Sequence, residues 1–396
     1  MTRLWDKGKP LDERILNFTA GEDYLLDERL VAYDVRASIA HARMLEKQGL
    51  LDSADCDAIC EGLEDLGRQH AEGQWAIQLE QEDAHSALEQ RLVESIGAAG
   101  GRVHLGRSRN DQVLAALRLY LRDVAETLSE GTNVVATALD ELAERHGDLD
   151  LPGYTHMQPA MPSSVSQWAA GFAAELRDDA VGLGAAARRA DLNPLGSAAG
   201  YGVPGLPLDR EATREFLGFS ATQNPVTAVQ LSRGKAEASL IFELTLLLGD
   251  LGRLASDLLL FYTEEFALVE LPDEMTTGSS IMPQKRNPDV FELVRSAQAV
   301  TIAALTETLA ITTKLTSGYQ RDLQRLKAPL FRSIDLAEDT LAIMAYALSG
   351  VRFRTDLPPL SDGLYAAERA NALVVEEGIP FREAYQRVAA TLKRDD

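Results

Sequence analysis

The sequence predicts an all-α protein with an elongated central helical bundle, a small N-terminal helical domain before it and a short C-terminal helical tail after it. Three observations lead to this prediction. Only 6% of the 396 residues are aromatic, while Ala and Leu, whose Cβ atoms are unbranched, are abundant and favour helices over strands. Apolar residues recur with the helical period through most of the chain. Several periodic runs approach or exceed about 25 residues, a length that is typical of helices packed in a bundle.

These runs fix the expected helices. One run places Val135, Leu139 and Leu142 on a single face, and a second begins after Pro162. The longer runs share an apolar stripe and cover about 234–265, 287–314 and 322–351. Within the last of these, Pro329 is expected to kink the helix, because proline removes a backbone N–H. We predict domains at 1–101, 102–352 and 353–396.

Composition narrows the classes of function. The formal net charge of −22 would repel a phosphate backbone, so we expect no nucleic-acid partner. The first 18 residues contain no apolar stretch of a signal peptide, and no segment has the uninterrupted apolar length of a membrane span. We therefore expect a soluble, cytoplasmic protein without a membrane partner.

Cysteine and histidine usage predicts no metal site. Cys56 and Cys60 are four residues apart in a predicted helix, a spacing that does not by itself exclude a disulfide but favours two buried thiols. The six histidines are scattered singly, without metal-ligand spacing.

The segment GSSIMPQKRNPD, at 278–289, combines features of an anion site. Gly278 and two serines permit a tight turn with exposed N–H groups, and Lys285 adds positive charge. Asn287 followed by Pro288 predicts a helix N-cap and first residue, so a helix dipole would face the loop. The alternative is an ordinary polar loop that starts a helix. Neither a Walker loop nor a GxSxG nucleophile elbow is present.

Two further segments interrupt the helical pattern with polar residues. His156 lies in GYTHMQPAMP, a predicted loop before a long helix, where it is either a hydrogen-bonded structural residue or a catalyst. In VHLGRSRNDQV, Ser108 and Asp111 have the spacing of a capping box. The arginines beside them, Arg107 and Arg109, suit a carboxylate ligand.

Together these motifs resemble a known family. GSSIMPQKRNPD is similar to the GSSxMPxKxN signature of the fumarase/aspartase superfamily, which is a specific pattern. GRSRNDQ, GYTH and the PFREA segment at 380–384 resemble argininosuccinate lyases in particular. The resemblance runs in order from about Phe18 to Ala384. It implies an enzyme that cleaves argininosuccinate to arginine and fumarate, in arginine biosynthesis, without a metal or organic cofactor.

The resemblance also implies the catalytic residues. The superfamily's catalytic serine falls on Ser279 and its catalytic histidine on His156. Glu292 matches the acidic residue that pairs with this histidine, and Lys285 and Asn287 match loop residues that hold the substrate's carboxylates.

Substrate contacts of the family fall on other segments. They are matched by Ser108, Arg109, Asn110, Thr155, Tyr319, Gln324 and Lys327, and a further polar pair near the site is matched by Asp83 and His85.

The chemistry of the implied reaction calls for such residues. A proton leaves the carbon beside a carboxylate, so fixed donors and a cation must stabilise the charge that builds up on that carboxylate. Lys285 and Asn287 suit this role. Ser279 as the base needs a strongly depressed hydroxyl pKa, and His156 with Glu292 would protonate the departing nitrogen. The two proton-transfer roles of Ser279 and His156 stay interchangeable at this point.

The resemblance implies a homotetramer in which each active site takes three segments from three different subunits. It also reveals departures from the family pattern: Gly21 replaces a serine substrate contact, and Leu105 and Met157 replace a threonine and a leucine. The alternatives are a superfamily lyase that acts on adenylosuccinate, malate or aspartate, and a non-catalytic, crystallin-like relative. GRSRNDQ and PFREA disfavour the first alternative, and the intact catalytic set disfavours the second.

Overall fold

The computed structural model describes residues 12–147 and 149–392. Most of this part of the chain is helical, and the sheets within it contain two short strands each, so the all-α prediction is confirmed. No helix in the described ranges is both long and apolar enough to cross a membrane. The predicted lack of a signal peptide concerns the start of the chain, of which residues 1–11 lie outside the described residues.

The α-helices are numbered in chain order. They are α1 (Glu13–Ala20), α2 (Asp23–Leu26), α3 (Val31–Lys47), α4 (Ser53–Ala71), α5 (Ala84–Ile96), α6 (Arg109–His146), α7 (Val165–Ala187), α8 (Arg210–Leu217), α9 (Thr227–Leu231), α10 (Lys235–Tyr262), α11 (Asp289–Thr312), α12 (Lys327–Gly350), α13 (Ala366–Glu377) and α14 (Phe381–Leu392). The strands are β1 (Asp150–Thr155), β2 (Gln158–Ser164), β3 (Leu192–Asn193), β4 (Ala221–Thr222), β5 (Val269–Glu270) and β6 (Arg352–Phe353). Strands β1 and β2 pair antiparallel, β3 and β4 parallel, and β5 and β6 antiparallel.

The long helices agree with the periodic runs. Helix α6 has 38 residues and α10 has 28. The kink predicted at Pro329 is wrong, because α12 begins at Lys327 after a 3₁₀ helix at Arg321–Leu326. Pro329 therefore lies in the first helical turn, where its missing N–H has no partner to lose. Cys56 and Cys60 are buried free thiols, as expected.

The chain divides into two compact units. The described residues of the first unit are 12–129, 181–245 and 299–337. Its core is aliphatic: Met44, Ile59 and Leu92 belong to a cluster formed mainly by α3, α4 and α5. A second cluster joins α3 and the start of α6 to Phe219. These contacts hold the N-terminal ends of α5 and α6, which carry predicted site residues.

The second unit contains 130–147, 149–180, 246–298 and 338–392 among the described residues. Trp168 packs against Phe172, Phe261 and Phe353, with ring centroids 5.6–5.7 Å apart, and its indole N–H donates to Asp257 at 2.9 Å. Helices α13 and α14 form a small hairpin with its own apolar cluster. This hairpin corresponds to the predicted helical tail, while the three domain boundaries given above remain a prediction.

Candidate active site

The start of α6 forms around the predicted capping residues. The Asp111 carboxylate accepts a hydrogen bond from the Ser108 N–H at 3.0 Å, and the Ser108 hydroxyl accepts one from the Asn110 N–H at 3.3 Å. The hydroxyl thus binds one residue earlier than a standard capping box requires. These bonds fix Ser108, Arg109 and Asn110 at the first turn of a long, rigid helix.

Asp111 also ties this helix start to a neighbouring loop. Its second carboxylate oxygen accepts hydrogen bonds from the N–H groups of Gly196 and Ala198, at 3.0 and 2.9 Å. Ala198 has a positive φ of 49°, an uncommon conformation for a residue with a side chain. Burial raises the pKa of Asp111, partly offset by the hydrogen bond from the Ser108 backbone.

Arg109 points toward the acidic end of α5. Its guanidinium lies 2.6 Å from Asp83 and 3.3 Å from Glu82. Asp83 caps α5 by accepting from the Ser86 N–H at 2.9 Å, and its carboxylate lies 3.1 Å from His85 Nε2. Burial and the positive Arg109 hold the pKa of His85 well below its ordinary value, which favours the neutral imidazole.

Lys327 is buried between two carboxylates. Its Nζ lies 2.7 Å from Asp23 and 2.5 Å from Asp27, and only 3% of the residue is exposed. Burial acts to lower the pKa of Lys327, but the carboxylates of Asp27 and Asp23 outweigh it and the pKa is raised. Burial raises the pKa of Asp23 to about 7 although Lys327 opposes the shift.

The predicted contacts Tyr319 and Gln324 lie on the segment that leads into α12. The Gln324 side-chain amide donates to the carbonyls of Thr19 and Ala20, at 2.9 and 3.2 Å. The next residue is Gly21, and a Cβ placed there would have no other atom within 4 Å. The space that a serine side chain would use in the family pattern is therefore open.

These side chains surround one cavity in the first unit, with about 300 Å³ not filled by protein atoms, part of it open to solvent. The lining comprises Asp23, Asp27, Asp83, His85, Arg109, Val113, Arg233, Tyr319, Gln324 and Lys327. The structure thus brings six predicted site residues together. The sequence motifs did not indicate the other four lining residues, which are Asp23, Asp27, Val113 and Arg233. The spacing of Asp23 and Asp27 on one helical turn was a signal, but 61 acidic residues gave many similar pairs.

Replacing Lys327 with methionine is expected to destabilise the fold as well as the cavity. The change leaves Asp23 and Asp27 buried without their cation, and breaking a buried ion pair in this way costs about 3–5 kcal/mol. Thermal midpoints at a fixed subunit concentration measure the effect. Lys314→Met, at an exposed lysine, is the matched control. Equal midpoints for the two variants would contradict the structural role of Lys327.

Arg107, by contrast, does not line this cavity. Its guanidinium donates to the Ser38 hydroxyl at 2.7 Å, and this hydroxyl donates to Asp34 at 3.2 Å. Burial raises the pKa of Asp34 to about 7, against the lowering effect of Arg107. Arg107 therefore donates to Ser38 and does not line the cavity, and its expected contact with a ligand stays a prediction.

In the second unit, Thr155 and His156 lie at the end of a β-hairpin, where the sequence had predicted a loop. Strands β1 and β2 pair from Asp150↔Ser164 to Thr155↔Gln158. Pro152 faces Pro162 across the pair, which a two-stranded sheet tolerates at a position where both missing N–H groups would point outward. The ring of Tyr154 packs against Phe266 at 5.8 Å and anchors the hairpin.

The turn of this hairpin holds His156 in an unusual conformation. His156 and Met157 are its two central residues, with φ of 53° and 60°, as a type I′ turn requires. Such turns usually contain Asn and Gly, and residues with positive φ cluster at functional sites. The hairpin thus presents an exposed imidazole at its tip.

The Ser279 loop offers backbone donors to its hydroxyl. Ser279 Oγ accepts hydrogen bonds from the N–H groups of Ile281 and Met282, at 3.4 and 3.2 Å. Donors placed in this way stabilise negative charge on the oxygen. Lys285 lies further along the loop with an exposed side chain.

Asn287 closes the neck of this loop. Its backbone pairs with Thr277 in both directions, at 3.0 and 2.8 Å, and its side-chain amide donates to the Gly278 carbonyl at 3.2 Å. Helix α11 begins at Asp289, so the prediction of Asn287 as N-cap and Pro288 as first helical residue is wrong by one residue. The side chain that was expected to cap the helix holds the loop ends together instead.

The catalytic candidates of the second unit do not form a constellation within one chain. Over the described residues, no hydrogen bond or ion pair joins His156, Ser279 and Glu292, and the side chains of His156 and Glu292 are exposed. Among the expected substrate contacts of the first unit, Arg109, Tyr319, Gln324 and Lys327 therefore line one cavity, whereas Ser108 and Asn110 do not. In the second unit, the side chains of His156 and Glu292 lie exposed.

Comparison with known proteins identifies the class first. A family model described as "Lyase" matches residues 8–302, and the chain is thus an enzyme of the lyase class. The argininosuccinate lyase of Sorangium cellulosum is 46% identical over 98% of this chain and 90% of its own length. That of Thermotoga neapolitana is 40% identical over 99% of both chains. The chain belongs to the argininosuccinate lyase family, which confirms the resemblance drawn from the motifs.

Solved structures agree on the fold. EDDS lyase in complex with formate has a TM-score of 0.78 and 26% identity, over 98% of this chain and 77% of the other. A class II fumarase from Schistosoma mansoni has a TM-score of 0.77 and 18% identity, over 96% and 89%. Both share the helical architecture of this chain.

Proposed function

We propose that this enzyme catalyses the reversible β-elimination of argininosuccinate to arginine and fumarate, as a step of arginine biosynthesis in the cytoplasm. The observation that carries the proposal is the cavity of the first unit. Arg109, Tyr319, Gln324 and Lys327, which match substrate contacts of the family, line it together with the pair Asp83 and His85. The family relationship supplies the reaction, and no metal or organic cofactor is part of the proposal.

Ser279 and His156 carry the proton transfers in this proposal. A proton leaves the carbon beside a succinyl carboxylate, and the electron pair then expels the guanidinium nitrogen of arginine. The backbone donors at Ser279 Oγ favour its alkoxide, which suits a base. His156, paired with Glu292 of an assembled site, would protonate the leaving nitrogen. If the two roles are exchanged, His156 acts as the base and Ser279 as the acid.

Lys285 and Asn287 hold the succinyl carboxylate on which charge develops. Elimination is faster only if this charge is bound more tightly in the transition state than in the bound substrate. Thr155, Ser108 and Asn110 supply further hydrogen bonds to the substrate in the proposed site.

A homotetramer completes the site. The open arrangement of His156, Ser279 and Glu292 supports assembly from segments of three subunits. The long helices also expose large apolar side chains, as expected for surfaces covered by other subunits; they include Val134, Val181, Phe242, Leu293, Ile302, Leu309 and Tyr346. Dissociation into monomers should abolish activity, and full activity of monomers would contradict the shared site.

Fumarate release, followed by absorbance, tests the reaction and the substrate together. Argininosuccinate is offered beside adenylosuccinate, malate and aspartate, and we expect turnover of argininosuccinate alone. Turnover of another substrate would support the elimination reaction but contradict the proposed specificity for argininosuccinate. A folded tetramer that is silent on all four would support a non-catalytic relative.

A further inference from the structure

Arg233 is a cavity-lining cation that the motifs did not indicate. It directly precedes Gly234 and helix α10, and only 6% of the residue is exposed. Its Nε and Nη1 atoms are buried and have no hydrogen-bond partner within the described residues. Buried donors are almost always paired, because an unmet guanidinium N–H loses its hydration without compensation. Arg233 thus has two unpaired donors beside a cavity that its side chain helps to line.

The other two cations that line the cavity are already neutralised. Lys327 lies between Asp23 and Asp27, and Arg109 is paired with Glu82 and Asp83. Over the described part of the chain, no ion pair involves Arg233. A carboxylate that enters the cavity would thus meet Arg233 as the lining cation that holds no described carboxylate within ion-pair distance.

The position of the cavity selects one of the substrate's three carboxylates. Two belong to the succinyl half, where the proposed site places Lys285 and Asn287. The third lies on the α-carbon of the arginine half. Gln324 connects the cavity to Thr19 and Ala20, which directly precede Gly21. At Gly21 the family pattern has a serine that contacts the amino-acid end, so the cavity lies beside that end.

We infer that Arg233 binds the α-carboxylate of the arginine half and supplies donors at the end of the pocket where Gly21 offers no hydroxyl. This inference rests on the proposed function and names a residue beyond it. The acidic side of the cavity fits the same ligand, because Asp23 and Asp27 share the single cation of Lys327. The α-ammonium group of an amino acid supplies a second positive charge there. The cavity thus selects a zwitterion.

Calorimetric binding of arginine and agmatine to the tetramer tests the inference, because agmatine is arginine without its carboxylate. Wild-type protein should bind arginine more tightly than agmatine. Arg233→Gln should weaken arginine binding roughly 10- to 100-fold, the loss expected for charge-assisted hydrogen bonds, and change agmatine binding less than about twofold. Equal weakening of both ligands, or no weakening of either, would overturn the role of Arg233. Weaker fumarate binding with unchanged arginine binding would do the same.

A second variant guards against loss of folding. Arg233 and the buried Glu237 both act electrostatically on Arg118, so removing the charge disturbs a buried cluster. Arg233→Lys keeps the charge but lacks the planar fork. It should lower arginine affinity by a smaller factor and again spare agmatine, and undiminished arginine affinity in this variant would count against the inference. Wild-type turnover of argininosuccinate is measured separately, so a failure of the proposed function remains distinguishable from a failure at Arg233.

Discussion

Ser279→Ala should reduce kcat by roughly 10²–10⁴-fold, the usual contribution of a group that transfers a proton in the transition state. The physical reason is the position of the hydroxyl, which accepts two backbone N–H bonds and can carry negative charge that a methyl group cannot. The helical fold should be unchanged, because Ser279 lies on a loop outside the cores. Fumarate release under saturating argininosuccinate measures kcat, and circular dichroism measures the helical content.

Ser280→Ala is the matched control for this variant, since Ser280 is the exposed neighbour on the same loop. It should retain turnover near that of the wild type. His156→Asn should lower kcat by a similar factor as Ser279→Ala. Asparagine accepts positive φ more readily than most residues, so this substitution removes the imidazole while keeping the turn. Turnover near the wild-type rate in Ser279→Ala or His156→Asn would refute the corresponding role.

Mixed tetramers of these two inactive variants should recover activity. If each site takes His156 from one subunit and Ser279 from another, random mixing restores both residues in about a quarter of the sites, so kcat per site should approach about a quarter of the wild-type value. The expected gain over either parent variant is therefore between one and four orders of magnitude. The variants are dissociated together, reassembled and assayed for fumarate release.

Each variant carried through the same cycle alone is the control for incomplete exchange or reactivation. A reassembled mixture of tetramers that stays as inactive as its parents would place His156 and Ser279 of each site on one chain. Such a result would refute an active site shared between subunits, but it would not contradict the catalytic roles proposed for His156 and Ser279.

The sequence predicted the helices well because their determinant is local. The apolar period of α10 and α11 is present in the chain itself, and the structure differs from the predicted ends by three residues or fewer. The kink predicted at Pro329 does not form because proline disrupts a helix interior but is tolerated in a first turn, and α12 begins at Lys327, two residues before it. Asn287 is not the predicted helix cap, because its side-chain amide donates to the Gly278 carbonyl across the neck of the loop.

The residues of the candidate site that belong to a motif could be predicted from the sequence. Those that join the site only through tertiary contacts could not. GRSRND and GYTH indicated Arg109 and His156, although three prolines concealed that the second motif ends a hairpin. Asp23, Asp27 and Arg233 come together from two separate parts of the chain. Whether these residues can bind a ligand depends on which of their charges are already paired within the protein. The spacing of residues in the sequence does not show such pairing.

The turn at His156 and Met157 also bears on how readily a functional centre forms from separate chains. Its backbone angles are set by a hairpin that is complete in one chain, so the backbone that carries the imidazole is preorganised before any encounter. Little backbone conformational entropy is then lost at this residue on association. The Ser279 hydroxyl, held by two long hydrogen bonds, must be ordered further. The hairpin thus acts as a rigid template, and the serine loop is the part whose ordering opposes assembly.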